Sequence, residues 1–115
     1  MRQLEFFVLQ YVPTPLGCKR VNVGIVLKEI GPAGFIDARF SSDWRKVTAL
    51  DPDADLELLQ ALAREARKEF QAGSGQAWLE RARDSFSSAL QLTEGTICQS
   101  ENPASMIEDL ALAWL

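Results

Sequence analysis

A short segment near the amino terminus constrains the fold more than any other part of the sequence. Residues 4–12 (LEFFVLQYV) are rich in aromatic and β-branched side chains, which is typical of a β-strand. Apolar side chains fall on both faces of such a strand. The segment therefore predicts a strand inside a sheet that is covered on both sides, or at a subunit interface.

Two further strands are predicted at residues 20–28 (RVNVGIVLK) and at residues 35–40 (FIDARF). Short connections between the three strands favour an antiparallel meander. Alternation in the second strand predicts one continuous apolar face, formed by Val21, Val23, Ile25 and Leu27. The opposite face then carries Asn22, Gly24, Val26 and Lys28.

The apolar spacing changes after residue 50 from a period of two to that of a helix. Spacings of three and four predict a helix that follows Asp51–Asp55 and ends near Gly73. A short second helix is predicted over residues 76–84, where it buries Trp78, Leu79 and Ala82.

Residues 86–93 predict a weaker fourth strand. A last helix is predicted over residues 103–114, with Asn102 as its N-cap. Its inward-facing residues are Met106, Ile107, Leu110 and Trp114. The pattern predicts one α+β domain over residues 1–115: an antiparallel sheet of three to four strands packed with about three helices.

Composition excludes several classes of function. The chain has no histidine, which removes His-based acid–base catalysis, Ser/His and Cys/His pairs and most zinc sites. The absence of an 18-residue apolar run excludes a membrane-spanning helix, and the amino terminus lacks a signal peptide, so we expect a cytoplasmic protein. Cys18 and Cys98 form no CxxC motif, so we expect two reduced thiols.

Charge is unevenly distributed along the chain. Residues 1–50 hold seven Lys/Arg against four Asp/Glu, a net charge of +3, whereas residues 51–115 hold five against twelve, a net charge of −7. The overall isoelectric point near 4.8 disfavours nucleic acid as a partner. The asymmetry favours an oppositely charged partner or head-to-tail contact between copies.

Two segments of the first half are distinctive, residues 7–15 (FVLQYVPTP) and residues 20–27 (RVNVGIVL), and they are followed by residues 38–40, 44–45 and 49–55. In these residues the chain resembles the bacterial domain of unknown function 3037 (DUF3037) family. Where relatives often carry an acidic residue before Asn-Val-Gly, this chain has Lys19-Arg20, so no role of that acid transfers. The resemblance implies no activity. It implies an accessory or partner role, because some relatives are encoded beside HipA-like kinase-fold proteins.

Asn22 and Gly24 are candidate site residues on the second strand. A polar side chain in an apolar strand needs hydrogen-bond partners, and a strand glycine usually marks a bulge or a close approach of another group. Asn22 could fix the preceding loop while Gly24 makes room for a packed aromatic ring or helix. Alternatively, the two could line a pocket for a small ligand or peptide.

Cations near the strand ends are the other candidates. Lys19 and Arg20 follow a segment rich in Pro and Gly, so we expect them at the surface, where they could attract an acidic partner. Arg39 and Arg45 flank Trp44, a composition typical of an interaction hot spot, although Trp44 could simply be part of the core.

Asp51, Asp53 and Asp55 imitate the start of a calcium-binding loop, but Leu56 and Leu62 stand where that loop needs Gly and Glu. We therefore expect helix capping, with no metal or other cofactor.

The sequence identifies no catalytic residues and favours a protein-interaction or accessory module that forms homo-oligomers. The alternative is a small-ligand or nucleotide-binding domain, or an enzyme with an unrecognised site.

Overall fold

The sheet is built around the strand with two apolar faces. A computed structural model describes residues 2–13, 19–31, 34–85 and 90–115. These residues form five strands and four helices in the order β1 (Arg2–Tyr11), β2 (Val21–Glu29), β3 (Ile36–Phe40), α1 (Arg45–Leu50), α2 (Leu56–Gln71), α3 (Gly75–Ser85), β4 (Leu90–Leu92), β5 (Thr96–Ser100) and α4 (Pro103–Trp114). The predicted α+β class with an antiparallel sheet is confirmed, with one strand and one helix more than expected.

β1 is the central strand, with β2 and then β3 on one side. Its other edge pairs with β4 near Tyr11 and with β5 from Arg2 to Phe6. Between these two short strands, Thr93 donates its backbone N–H to the Val8 oxygen and accepts the Val8 N–H on Oγ1, each at 2.9 Å. β4 and β5 therefore act as one interrupted strand along the edge of β1.

Each face of β1 lies in its own hydrophobic core. Phe7, Leu9 and Tyr11 belong to the core that α1, α2 and α3 cover. Leu4, Phe6 and Val8 belong to a second core with Ile107 of α4. Helices on both sides of the sheet explain why the sequence of β1 is apolar throughout, and they confirm that the strand lies inside a covered sheet.

A β-bulge in β2 corrects the predicted faces of that strand. Leu9 pairs with Gly24 and the next residue, Gln10, pairs with Asn22, so Val23 is an extra residue opposite β1. Val23 therefore packs in the core under α1–α3, whereas Ile25 and Leu27 pack in the core under α4. The continuous apolar face predicted for residues 21–27 was wrong, because the bulge reverses the alternation.

Two elements were not predicted from the sequence, α1 and β5. α1 has only six residues and buries a single one, Val47, so it lacks a readable apolar stripe. In β5 the most apolar residue, Ile97, is 60% exposed, while Cys98 faces the core beside Leu4. In a half-buried strand the most apolar residues usually face the core, whereas in β5 the most apolar residue faces solvent. β5 is therefore defined by its main-chain pairing with β1.

The longer helices begin and end where the sequence indicates. Asp55 caps α2 by accepting the Leu58 N–H at 3.0 Å, and Gly73 follows the helix with a left-handed φ of 85°. Asn102 caps α4 by accepting the Ser105 N–H at 3.3 Å. Trp114 was predicted to face inward, but its side chain is 41% exposed, although its ring contacts that of Phe6.

The predicted burial of Trp78, Leu79 and Ala82 in α3 is confirmed. Residues 86–89 of the fourth predicted strand lie outside the described residues, as does the Pro- and Gly-rich segment 14–18; the remainder of that strand is β4. Among the helices described, none is long and apolar enough to cross a membrane.

Candidate functional site

The end of α4 lies beside the beginning of β2, where several of the predicted site residues meet. Asn22 donates its Nδ2 hydrogen to the Trp114 carbonyl oxygen at 3.2 Å. Lys46 of α1 donates from Nζ to the Leu115 carbonyl oxygen at 2.8 Å. Carbonyl groups at a helix end lack partners within the helix and carry partial negative charge. Asn22 and Lys46 therefore supply those partners and hold the end of α4 on the sheet.

Arg20 is connected to this arrangement through β1. Its guanidinium donates to Gln10 Oε1 at 3.3 Å, and Gln10 Nε2 donates to Asn22 Oδ1 at 3.0 Å. Lys19 and Arg20 are both exposed, as expected from the sequence. The chain of hydrogen bonds fixes Arg20 relative to α4 and leaves most of its donors directed to solvent.

These side chains line an open groove of about 520 Å³, which we call the β2–α4 groove. Its lining residues are Arg20, Val21, Asn22, Lys46, Ala49, Leu50 and Trp114. The groove combines two cations with an apolar floor and an indole edge. Such a surface suits an acidic or mixed acidic and apolar protein segment better than a compact metabolite, because it is broad and open.

Gly24 does not take part in this groove. An ideal Cβ on Gly24 would lie 2.9 Å from Phe40 Cδ1, so the glycine makes room for the Phe40 ring in the core under α1–α3. The bulge at Val23 places Asn22 on the opposite face, against α4. The pocket predicted to be shared by Asn22 and Gly24 was wrong, since the sheet separates them.

Arg39, Trp44 and Arg45 do not form one cluster. The Arg39 side chain lies on the side of the sheet that α4 covers, where it forms ion pairs with Asp37 at 2.8 Å and with Glu108 at 2.6 Å. Partial burial alone would lower the pKa of Arg39, but the hydrogen bonds to the two carboxylates raise it above its usual value. The guanidinium thus serves as a tie between β3 and α4.

Trp44 lies on the other side of the sheet, half-buried against the core under α1–α3. Arg45 is directed into solvent and pairs with Asp43 at 2.7 Å. The hydrogen bond from the Arg45 side chain lowers the pKa of Asp43 to about 2. Arg39 and Arg45 therefore do not form a hot spot with Trp44. Trp44 lines a cleft without them.

The acidic segment before α2 is occupied by structural hydrogen bonds. Tyr11 donates its hydroxyl to Asp51 Oδ2 at 2.7 Å, which ties the end of β1 to the α1–α2 connection. Burial, together with this hydrogen bond, raises the pKa of Tyr11 to about 12. Asp55 caps α2, as expected. Within the described ranges, no three His, Cys, Asp or Glu side chains group in a way that could hold a metal.

Lys46, Gln10 and Trp114 were not identified as site residues from the sequence. Each acts through a contact with a distant part of the chain, and two of the contacts at α4 are to backbone carbonyls, which carry no residue signature. The only usable signal was the apolar ending of residues 111–115 (ALAWL) next to a charged segment.

Comparison with known proteins adds a family and no activity. The family model described as "Protein of unknown function (DUF3037)" matches residues 6–113, nearly the whole chain. No curated protein and no solved structure matches the chain.

Proposed function

We propose that this chain, which belongs to the DUF3037 family, is a protein-interaction module that self-associates through α4 and the β2–α4 groove. The observation that supports this most strongly is Leu112, which is 86% exposed on α4. Trp114 is exposed on the same helix, at the rim of the groove. An exposed leucine and tryptophan on a helix that ends beside two exposed cations are typical of an interface with an apolar centre and a charged rim.

Charge along α4 supports a second copy as the occupant. Glu108 and Asp109 are exposed one turn before Leu112, whereas Arg20 and Lys46 lie at the end of the helix. Along α4, an acidic part, the exposed Leu112 and a basic part at the helix end therefore follow one another. A surface of this kind can be complementary to itself.

A twofold axis at Leu112 satisfies both parts at once. With the two α4 helices antiparallel, Leu112 of each copy packs against that of the other. Asp109 of one copy then lies opposite residue 115 of the other, where Lys46 is bound. Full burial of a leucine contributes about 1.5–3 kcal/mol, and each exposed ion pair adds about 0.2–1 kcal/mol, so the leucine dominates the affinity.

Sedimentation velocity over a concentration series up to about 100 μM tests the proposal. We expect a dimer for the wild type and a monomer for Leu112→Lys, because two lysines would meet at the axis. Leu58→Lys is the matched control, since Leu58 is 54% exposed on α2 across the sheet. At a concentration low enough for the wild type to be monomeric, the free energy of unfolding of both variants should lie within about ±0.5 kcal/mol of the wild-type value, as for other exposed substitutions.

A wild-type monomer at about 100 μM, or equal dimerisation of the wild type and Leu112→Lys, would contradict self-association. Lys19→Glu combined with Arg20→Glu gives a second measurement, because the dimer should form more slowly in that variant. The effect should be larger at about 20 mM than at about 150 mM salt, where exposed charges are screened.

The resemblance also implies an accessory role beside a HipA-like kinase-fold protein, and the same surface would serve it. A monomeric wild type that binds such a protein, with loss of binding in Leu112→Lys, would assign the surface to that partner instead of a second copy. The proposed interaction role would then stand with a different occupant.

A further inference from the structure

A second cleft lies on the opposite side of the sheet, between α2 and the loop that joins β3 to α1. Its volume is about 310 Å³, at the lower end of the range for small-molecule sites, roughly 300–1,000 Å³. Its polar and aromatic lining side chains are Ser41, Ser42, Trp44, Gln60, Arg64 and Arg67. Gln60, Arg64 and Arg67 are spaced by four and three residues, so they lie along one face of α2.

The two arginines of this cleft have no carboxylate partner among the described residues. The acids next to them on α2 are already paired, Glu65 with Lys68 and Glu69 with Arg81. The Arg67 guanidinium lies 5.6 Å from the centre of the Phe40 ring, a contact that positions the side chain without neutralising its charge. Two positive charges are thus held side by side in the half of the chain that is acidic overall.

The cleft offers donors in excess of acceptors. Each guanidinium presents several N–H groups in a planar fork, and the Gln60 amide and the Ser42 hydroxyl add further donors. The Ser41 hydroxyl already donates to the Asp43 carbonyl oxygen at 2.9 Å. Two arginines match the charge of a phosphate monoester, which is about −1.5 to −2 at neutral pH, whereas a single carboxylate would leave one cation uncompensated.

Trp44 gives the cleft an aromatic wall. The same indole and Ala63 also line an adjoining apolar cavity with Phe40 and Leu62, so the wall continues into the hydrophobic side of the cleft. A planar ring in the same molecule as the phosphate could therefore pack against Trp44 while the phosphate contacts the arginines.

We infer that this cleft binds a phosphate monoester that carries an aromatic ring, with Arg64 and Arg67 holding the phosphate and Trp44 packing on the ring. Nucleoside monophosphates are the common metabolites of this chemistry. The site is separate from the α4 surface, since the sheet lies between them. Its occupancy is therefore independent of the proposed self-association.

Isothermal titration calorimetry with three related probes tests the inference. Adenosine monophosphate carries ring and phosphate, ribose 5-phosphate lacks the ring, and adenosine lacks the phosphate. With ligand up to about 5 mM, we expect the monophosphate to bind most tightly, ribose 5-phosphate more weakly and adenosine not measurably. Equal binding of adenosine and the monophosphate would overturn the phosphate contact, and equal binding of the two phosphates would overturn the contact with Trp44.

Substitutions locate the site. Arg64→Gln and Arg67→Gln should each weaken binding of the monophosphate by about tenfold or more, because each removes charge-assisted hydrogen bonds. Lys68→Gln is the matched control on the same helix, since it removes one charge outside the cleft and should change the affinity by less than about twofold. The cation–π contact with Phe40 is made by Arg67, so Arg64→Gln keeps the test valid if Arg67→Gln alters folding.

Absence of binding to the wild type at about 5 mM would overturn the inference. So would an affinity that is the same in the wild type and in the variant carrying both Arg64→Gln and Arg67→Gln. Leu112→Lys should bind the monophosphate as the wild type does. That variant distinguishes a failure of this site from a failure of the α4 interface.

Discussion

Gly24→Ala should destabilise the protein because the added methyl group would meet the Phe40 ring. The ideal Cβ lies 2.9 Å from Phe40 Cδ1 and 3.4 Å from Leu9 Cβ, and contacts below 3.0 Å require a neighbour to move. Two neighbours restrict such a movement of the ring. It packs edge-on against Trp78 with centroids 6.2 Å apart, and Arg67 covers its face.

The magnitude follows from two opposing effects. Overpacking of a filled core costs about 1–3 kcal/mol, while replacing glycine by alanine reduces the entropy of the unfolded chain and recovers about 0.4–1 kcal/mol. We expect a net loss of about 1–2 kcal/mol. For a chain of this length that corresponds to a melting temperature lower by roughly 4–8 °C.

Urea unfolding of a double-mutant cycle isolates the contact. Phe40→Leu makes room at the position of the ring, so Gly24→Ala should cost at least about 0.5–1 kcal/mol less in that background than in the wild type. A wild-type stability for Gly24→Ala, or the same cost in both backgrounds, would refute the argument that Gly24 is required by the Phe40 ring. Gly24 would then return as a candidate for ligand binding.

Two further predictions concern titration and reactivity. Tyr11 is the single tyrosine of the chain, so ultraviolet titration of tyrosine reports this residue alone. The measured pKa should be about 12 in the wild type. It should be lower in Asp51→Asn, because the carboxylate of Asp51 contributes to the raised pKa. Because the folded-state pKa is raised above 10.0, the contribution of Tyr11 to stability should be constant below that pH and fall between pH 10 and about 12. A fall of the same size over this range in Tyr11→Phe would contradict this. Burial raises the pKa of Cys98, so in a Cys18→Ser variant its thiol should react with a disulfide reagent more slowly in the folded state than in concentrated urea; equal rates would contradict it.

The sequence was sufficient for features that depend on local periodicity. The two faces of β1 and the caps of α2 and α4 were predicted correctly, because each is determined by a repeating pattern or by a residue type beside a helix end. The bulge at Val23 was not, since a valine fits either core and alternation alone assumes an unbroken ladder. Because of the bulge, Asn22 and Gly24 lie on opposite faces of the sheet and not on the same one.

The candidate sites were predictable only in part. The exposure of Lys19 and Arg20 was predicted because a Pro- and Gly-rich segment precedes them, and the structure confirms it. Lys46 was not identified from the sequence, because its contact is a backbone oxygen 69 residues away. Arg64 and Arg67 had no visible signal either: on an amphipathic helix, a cation beside the apolar stripe has the same pattern whether it faces solvent or a cleft.

The pairing of β1 with β4 and β5 has a consequence for how the protein folds. Gln3 pairs with Gln99 and Leu9 with Leu92, so one edge of the first strand is completed by segments far along the chain. During synthesis β1 emerges early, yet its main-chain groups on that edge stay unpaired until residues 90–100 follow. Contacts of such long sequence separation slow folding and leave an apolar strand edge open to other chains. β1 is therefore the segment of the nascent chain with the greatest need of protection from aggregation.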